Sequence, residues 1–148
     1  MKHYAAALVM LAASVTFCAA AQAQPQKAAK NLPLVTPASD VNYSPLDPKD
    51  TKHNGVMVHV IYGNLAKKGP VAFLARIPAG YSGGPHAHES DLYLATISGN
   101  YFEWRIGEPE GQAGGAGGTI FVPAKTLHNN RCEKQGGPCL NYAYYPNG

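Results

Sequence analysis

Short strands separated by Gly/Pro turns mark this as an all-β chain, with a sandwich or barrel as the expected architecture. Three observations predict it. Segments such as GVMVHVIYG and VAFLARIPAG are rich in β-branched and aromatic residues. Turn residues punctuate them at Gly63-Asn64, at Lys67-Lys68-Gly69-Pro70 and at Ser98-Gly99-Asn100. Beyond the N-terminal apolar run, no window shows a helical period with caps.

The N-terminus is read as an export signal rather than part of the fold. Lys2 and His3 precede the apolar run AAALVMLAASVTF, and Ala21-Gln22-Ala23 forms an A-x-A cleavage pattern. That run is too short for a membrane anchor. Phe17 before Cys18 is too bulky for lipoprotein processing. Cleavage after Ala23 leaves 125 of the 148 residues, enough for one modest domain in the periplasm or outside the cell. Residues 24–50 read as a flexible tail and an extended segment that packs along a barrel edge. Prolines 33, 37, 45 and 48 exclude regular helix there and disfavour central strands. Residues 51–148 are assigned to the barrel.

The formal charge is +3, or +2 once Lys2 is removed, and the basic residues are scattered. There is no basic stripe interleaved with aromatics, which argues against nucleic acid as a partner. With no second apolar span, membrane association is not expected either. GEPEGQAGGAGG reads as a hairpin loop; no helix follows it to make a phosphate cradle.

Within the domain, the stretch GYSGGPHAHESDLYLATISG carries the chemistry. His86 and His88 lie two residues apart on what reads as a strand, so their imidazoles share one face. His128 follows a second turn in VPAKTLHNN. Two ligands from one strand and one from another can build a metal site in a barrel mouth. Cys132 and Cys139 survive processing, and in an oxidising compartment a disulfide across EKQGGP is the favoured reading. Cys132 as a further metal ligand is the alternative.

These residues resemble the cupins, small jelly-roll barrels (double-stranded β-helices). The first cupin motif, G(X)5HXH(X)3–4E(X)6G, is matched by Gly80, His86, His88 and Gly99, with Leu92 in place of the glutamate. The second, G(X)5PXG(X)2H(X)3N, is matched by Gly117, Pro123 and His128, with Lys125 in place of the glycine and Cys132 in place of the asparagine. The resemblance spans roughly residues 56–145. It implies that His86, His88 and His128 are metal ligands, and that pairing into a homodimer through sheet edges is expected. Imidazoles suit iron, zinc, copper or nickel rather than magnesium or calcium. Some cupins with three-histidine sites are iron dioxygenases. The cadence is also similar to the cupin domain of ChrR-type anti-sigma factors, although no separate zinc-binding anti-sigma segment is present.

With Leu92 unable to coordinate, three residues compete to complete the shell: Asp91, Glu103 and Cys132. Strand parity aims Asp91 away from the interior unless a bulge turns it. Glu103 either points inward as a base or replacement ligand, or pairs with Arg105 or Lys125 on a wet face; the latter is the favoured expectation. Arg76 and His59 read as ordinary strand residues. Tyr142, Tyr144 and Tyr145 read as sheet packing, with one hydroxyl available to a ligand. Leu92, Leu94 and Phe121 are expected to exclude water from the site. The function expected is an exported metal-dependent enzyme, dioxygenase-like or of other small-molecule chemistry. The alternatives are a non-catalytic module that binds a small molecule or metal, and a metal-free structural domain.

Overall fold

The computed structural model describes residues 35–148 other than 53, with a compact unit over Thr36–Gly148. The export signal read over residues 1–23 and the start of the tail lie outside the described residues. A 3-10 turn at Ala38–Asp40 precedes eight strands. They are β1 (Ser44–Pro45), β2 (Met57–Tyr62), β3 (Val71–Ile77), β4 (Leu92–Ser98), β5 (Tyr101–Arg105), β6 (Thr119–Val122), β7 (His128–Cys132) and β8 (Cys139–Tyr145). Six form one antiparallel sheet in the order β1-β2-β3-β8-β4-β6; β5 and β7 form a second. Two antiparallel sheets with non-sequential neighbours are the layout of a jelly roll, as expected from the sequence.

Period-2 patterning sets the inner face of the large sheet. Val71, Phe73, Ala75 and Ile77 of β3 are buried, as are Leu92 and Leu94 of β4 and Ala143 of β8. Each fully buried large aliphatic or aromatic side chain contributes about 1.5–3 kcal/mol. The proline-rich segment is an edge, as expected: Ser44 and Pro45 pair with Val58 and Met57 of β2. Pro45 has no N–H to donate, which an edge tolerates.

One expectation fails on parity. Phe121 pairs with Tyr93 across β6 and β4, on the outer face. It is 55% exposed and packs against the Tyr93 ring, with centroids 5.0 Å apart. It therefore excludes no water from the barrel interior, whereas Leu92 and Leu94 do line it. Tyr142 is exposed, and Tyr144 lies on the same outer face beside Tyr93. Of the three C-terminal tyrosines, Tyr145 packs against Phe73 and lines the interior.

Two features move the chain between the sheets. Gly99, at φ 82°, separates β4 from β5, and a Cβ there would lie 2.8 Å from the Cys139 Cα. Only glycine allows both that φ and that approach. The connection from β7 to β8 is closed by a Cys132–Cys139 disulfide with Cα atoms 5.9 Å apart. A loop this short constrains the unfolded chain by about 2.5 kcal/mol in the entropy model. The bond commits the Cys132 sulfur, which removes it as a metal ligand.

Candidate metal centre

His86 and His88 do not lie on a regular strand. They occupy an extended segment that joins the edge of the β5-β7 sheet through isolated bridges, Ser82 with Arg131 and His86 with His128. The His86 N–H donates to the His128 carbonyl and the His128 N–H to the His86 carbonyl, both at 2.9 Å. Residues directly opposite across such a pair share a face, so His86 and His128 point into the barrel together. The three imidazoles bring one ligand nitrogen each to within 4.8 Å of one another. Their ring centroids are 4.2–5.0 Å apart.

Two of these rings are oriented by the backbone. His86 Nδ1 donates to the Gly84 carbonyl at 2.8 Å, and His128 Nδ1 to the Thr126 carbonyl at 2.7 Å. A carbonyl only accepts, so in each neutral ring the proton sits on Nδ1 and Nε2 presents its lone pair. His88 is held differently: the Tyr145 hydroxyl lies 3.2 Å from its Nδ1 and 3.3 Å from its Nε2. Burial lowers the His88 pKa to about 4, helped by the nearby His128 and His86. Burial also lowers that of His128, against the Thr126 hydrogen bond, which raises it. Converging imidazoles oriented by the backbone are the donor set that zinc, iron, copper or nickel takes.

Glu103 corrects the sequence reading. The expected wet-face pairing with Arg105 or Lys125 does not form; its side chain is 5% exposed, with Oε1 3.0 Å from His128 Nε2. Strand register explains this. Arg105 pairs with His128 and Glu103 with Asn130, which makes Glu103 the same-face diagonal neighbour of His128. Burial raises its carboxyl pKa to about 7, while the Tyr101 hydroxyl acts in the opposite direction. Neither Glu103 oxygen nor His128 Nε2 has a hydrogen-bond partner of standard geometry. With the His128 proton on Nδ1, a carboxylate and a lone pair face each other, and a proton or a cation must lie between them.

The other candidates take structural roles. Asp91 Oδ1 accepts the Ala124 N–H at 2.8 Å, fastening β4 to the turn after β6. His59 Nδ1 bonds to the Asn42 carbonyl at 2.9 Å. Arg76 is exposed and is not among the residues lining the cavity. Lys125, in the place of the cupin glycine, has φ 60° and donates its N–H to the His88 carbonyl at 2.7 Å. A side chain in this left-handed region costs about 1–2 kcal/mol, partly offset by the lower entropy of an unfolded lysine. Lys125→Gly is therefore expected to stabilise the fold by about 0.5–1 kcal/mol. Chemical denaturation would check it, and an unchanged or lower midpoint would contradict it.

His86 and His88 sit on the wall of a cavity of about 230 Å³. Phe73, Leu92, Leu94 and Ala143 line it with apolar surface, and Tyr145, Asn130 and Asn141 add polar groups. Asn141 is 1% exposed, and its side-chain amide has no hydrogen-bond partner in the protein. None of the described residues lining this cavity is cationic.

No family model matches the sequence, and no curated protein matches it. Solved structures do. KdgF from a Halomonas species superposes with a TM-score of 0.56 at 16% identity, over 74% of this chain and 91% of that one. An RmlC-like cupin from Ralstonia eutropha gives 0.59 at 20% identity, over 74% and 66%. The Rhodobacter sphaeroides complex of SigE with the anti-sigma ChrR gives 0.54 at 21% identity; the match covers 73% of this chain and about half (51%) of that one. At these identities the likeness establishes architecture, and the architecture is shared with every one of them: this chain has the cupin fold.

Proposed function

We propose that this chain is an exported cupin in which His86, His88 and His128 hold one divalent transition metal, and that it acts on a small organic molecule. The observation that carries the proposal is the convergence of three imidazoles beside an apolar cavity, two of them with Nδ1 held by a backbone carbonyl. Once bound, such a metal supplies Lewis acidity and open positions for substrate, water or dioxygen. The protein supplies the rest. Leu92 and Leu94 keep the cavity apolar, and Asn141 offers an unpaired amide at the cavity wall. Because no lysine or arginine is among the lining residues, an anionic substrate group would depend on the metal for its counter-charge. This favours a small ligand with one chelating end and an apolar body. Glu103 gives the site a buried carboxyl group, and its place beside His128 favours an enzyme over a purely binding module.

The test is elemental analysis of mature protein purified from the periplasm. About one equivalent of iron, zinc, copper or nickel is expected. Iron would direct assays to oxygen consumption with thiols and diketones, and zinc to hydrolysis or isomerisation. Protein that holds no metal even after reconstitution would overturn the reading. Saturable ligand binding without turnover, under air and with each metal, would move the non-catalytic module ahead.

A further inference from the structure

A second cavity, of about 610 Å³, is lined by residues 103–106 and 120–128. Its size falls within the roughly 300–1,000 Å³ of ordinary small-molecule pockets. It shares no lining residue with the apolar cavity described above. The histidine cluster contributes to both, His86 and His88 to the first and His128 to the second. We propose that this second cavity binds a small organic anion with an apolar body, at a site separate from the one proposed for the substrate. The proposal does not depend on the metal.

The first support is charge. Arg105 and Lys125 line this cavity, whereas no cation lines the apolar one. Register sets Arg105 directly opposite His128, so the two share a face. Its side chain is exposed and has no ion-pair or hydrogen-bond partner among the described residues. Lys125 makes only a 3.9 Å contact to Glu89, with both side chains largely exposed, which is worth little. The one acid on the wall is Glu103, buried and turned toward His128. An anion would therefore meet two available cations and no exposed carboxylate. The planar guanidinium of Arg105 can give a carboxylate two parallel N–H donors.

The second support is the apolar wall. Phe121, Leu127 and Ile106 line the same cavity and remain 55%, 51% and 38% exposed. Cations beside uncovered apolar surface suit a ligand with one charged end and an apolar body; an inorganic ion would leave that surface wet. The third support is strain. Lys125 holds φ 60°, a conformation that glycine adopts freely. Its N–H is fixed to the His88 carbonyl at 2.7 Å, so the turn that carries it is anchored. A strained backbone kept at a cavity rim points to a use for the side chain it carries.

The test is an NMR titration of the purified chain with benzoate, phenylacetate and hexanoate, beside benzamide and sodium sulfate. At least one carboxylate is expected to shift the Leu127, Ile106 and Phe121 signals saturably. Benzamide and sulfate should bind more weakly by on the order of 10-fold. Arg105→Gln should weaken the carboxylate by on the order of 10-fold and Lys125→Gly by about 3-fold. Neither change threatens the fold, since Arg105 is exposed and unpaired and glycine relieves the strain at 125. No saturable shift with any carboxylate would overturn the proposal. So would equal binding of benzamide, equal binding of sulfate, or an affinity unchanged in both variants. Shifts centred on Leu94 and Ala143 would place the anion in the first cavity and overturn it too. The titration is repeated on chain freed of metal with phenanthroline, a neutral chelator, and the same affinity is expected. A chain that never holds metal would sink the metal-binding reading and leave this result unchanged.

Discussion

His128→Ala is expected to lower metal affinity by on the order of 10²–10³-fold, the largest functional effect of any single change in this chain. Structural zinc sites of four ligands bind with about 10–16 kcal/mol, so one ligand accounts for about 3–4 kcal/mol. His128 is more than an average donor. It bridges His86 through two backbone hydrogen bonds, and its Nε2 faces Glu103. The backbone bonds survive truncation to alanine, so the strand pairing that positions His86 should persist. Zinc or cobalt titration monitored by thermal unfolding is a direct check. In wild type, metal at 100 times its dissociation constant adds about 2.7 kcal/mol of stability. In the variant the same metal concentration should add about 0.4 kcal/mol or less, and an equal rise in both proteins would remove His128 from the site.

The second large effect is the pH dependence that Glu103 imposes on the metal-free protein. Its carboxyl pKa stands at about 7 in the folded chain against an ordinary value of 4.5. Between those values the folded state keeps a proton that the unfolded state has lost, so stability falls as pH rises through this window. The difference corresponds to about 3 kcal/mol, present in full below pH 4.5 and lost by about pH 7. His88 acts in the opposite sense. Its folded pKa of about 4 lies below the ordinary 6.5, so its contribution to stability rises with pH between those limits. The two partly cancel in wild type between pH 4.5 and 6.5. Comparison with Glu103→Gln separates them, because glutamine does not titrate. In the presence of chelator, the glutamine variant should gain about 3 kcal/mol relative to wild type between pH 4.5 and 7. Parallel stability curves for the two proteins would show that Glu103 ionises normally and is not desolvated.

The two predictions are linked through one geometric fact. A buried carboxyl and a buried imidazole, each lacking a partner of standard geometry, are costly to desolvate in the empty protein. Such a cost is tolerated where function requires it. The same arrangement weakens the metal-free fold as pH rises toward neutrality.

How much of this was legible in the chain varies by residue. The HxH spacing announced the shared face of His86 and His88, and the motif register added His128. The Gly/Pro punctuation identified β2 to β6 and β8, including the break at Gly99, but not β7, and the strand read through His86 and His88 is an extended segment instead. The expectation of an oxidising compartment favoured the Cys132–Cys139 bond that the structure forms. Glu103 was named only as the lesser option, and its neighbours explain why. Tyr101, Phe102 and Trp104 put aromatic residues on both faces of β5, so alternation could not identify the inner one. Tyr101 held the available clue, since a large buried residue two positions away shares the face of Glu103.

The sequence by itself determined the all-β architecture, most of its strands and the three histidines, because each depends on spacing along the chain. Tertiary structure alone decided which carboxyl group lies beside His128. Asp91 is closer to His88 in sequence, yet it is spent on the Ala124 N–H. Glu103 lies fifteen residues beyond His88 and reaches His128 because β5 pairs with β7 in the register that sets it diagonal to His128. Pairing register is a property of two strands brought together by folding. No local pattern on β5 encodes it.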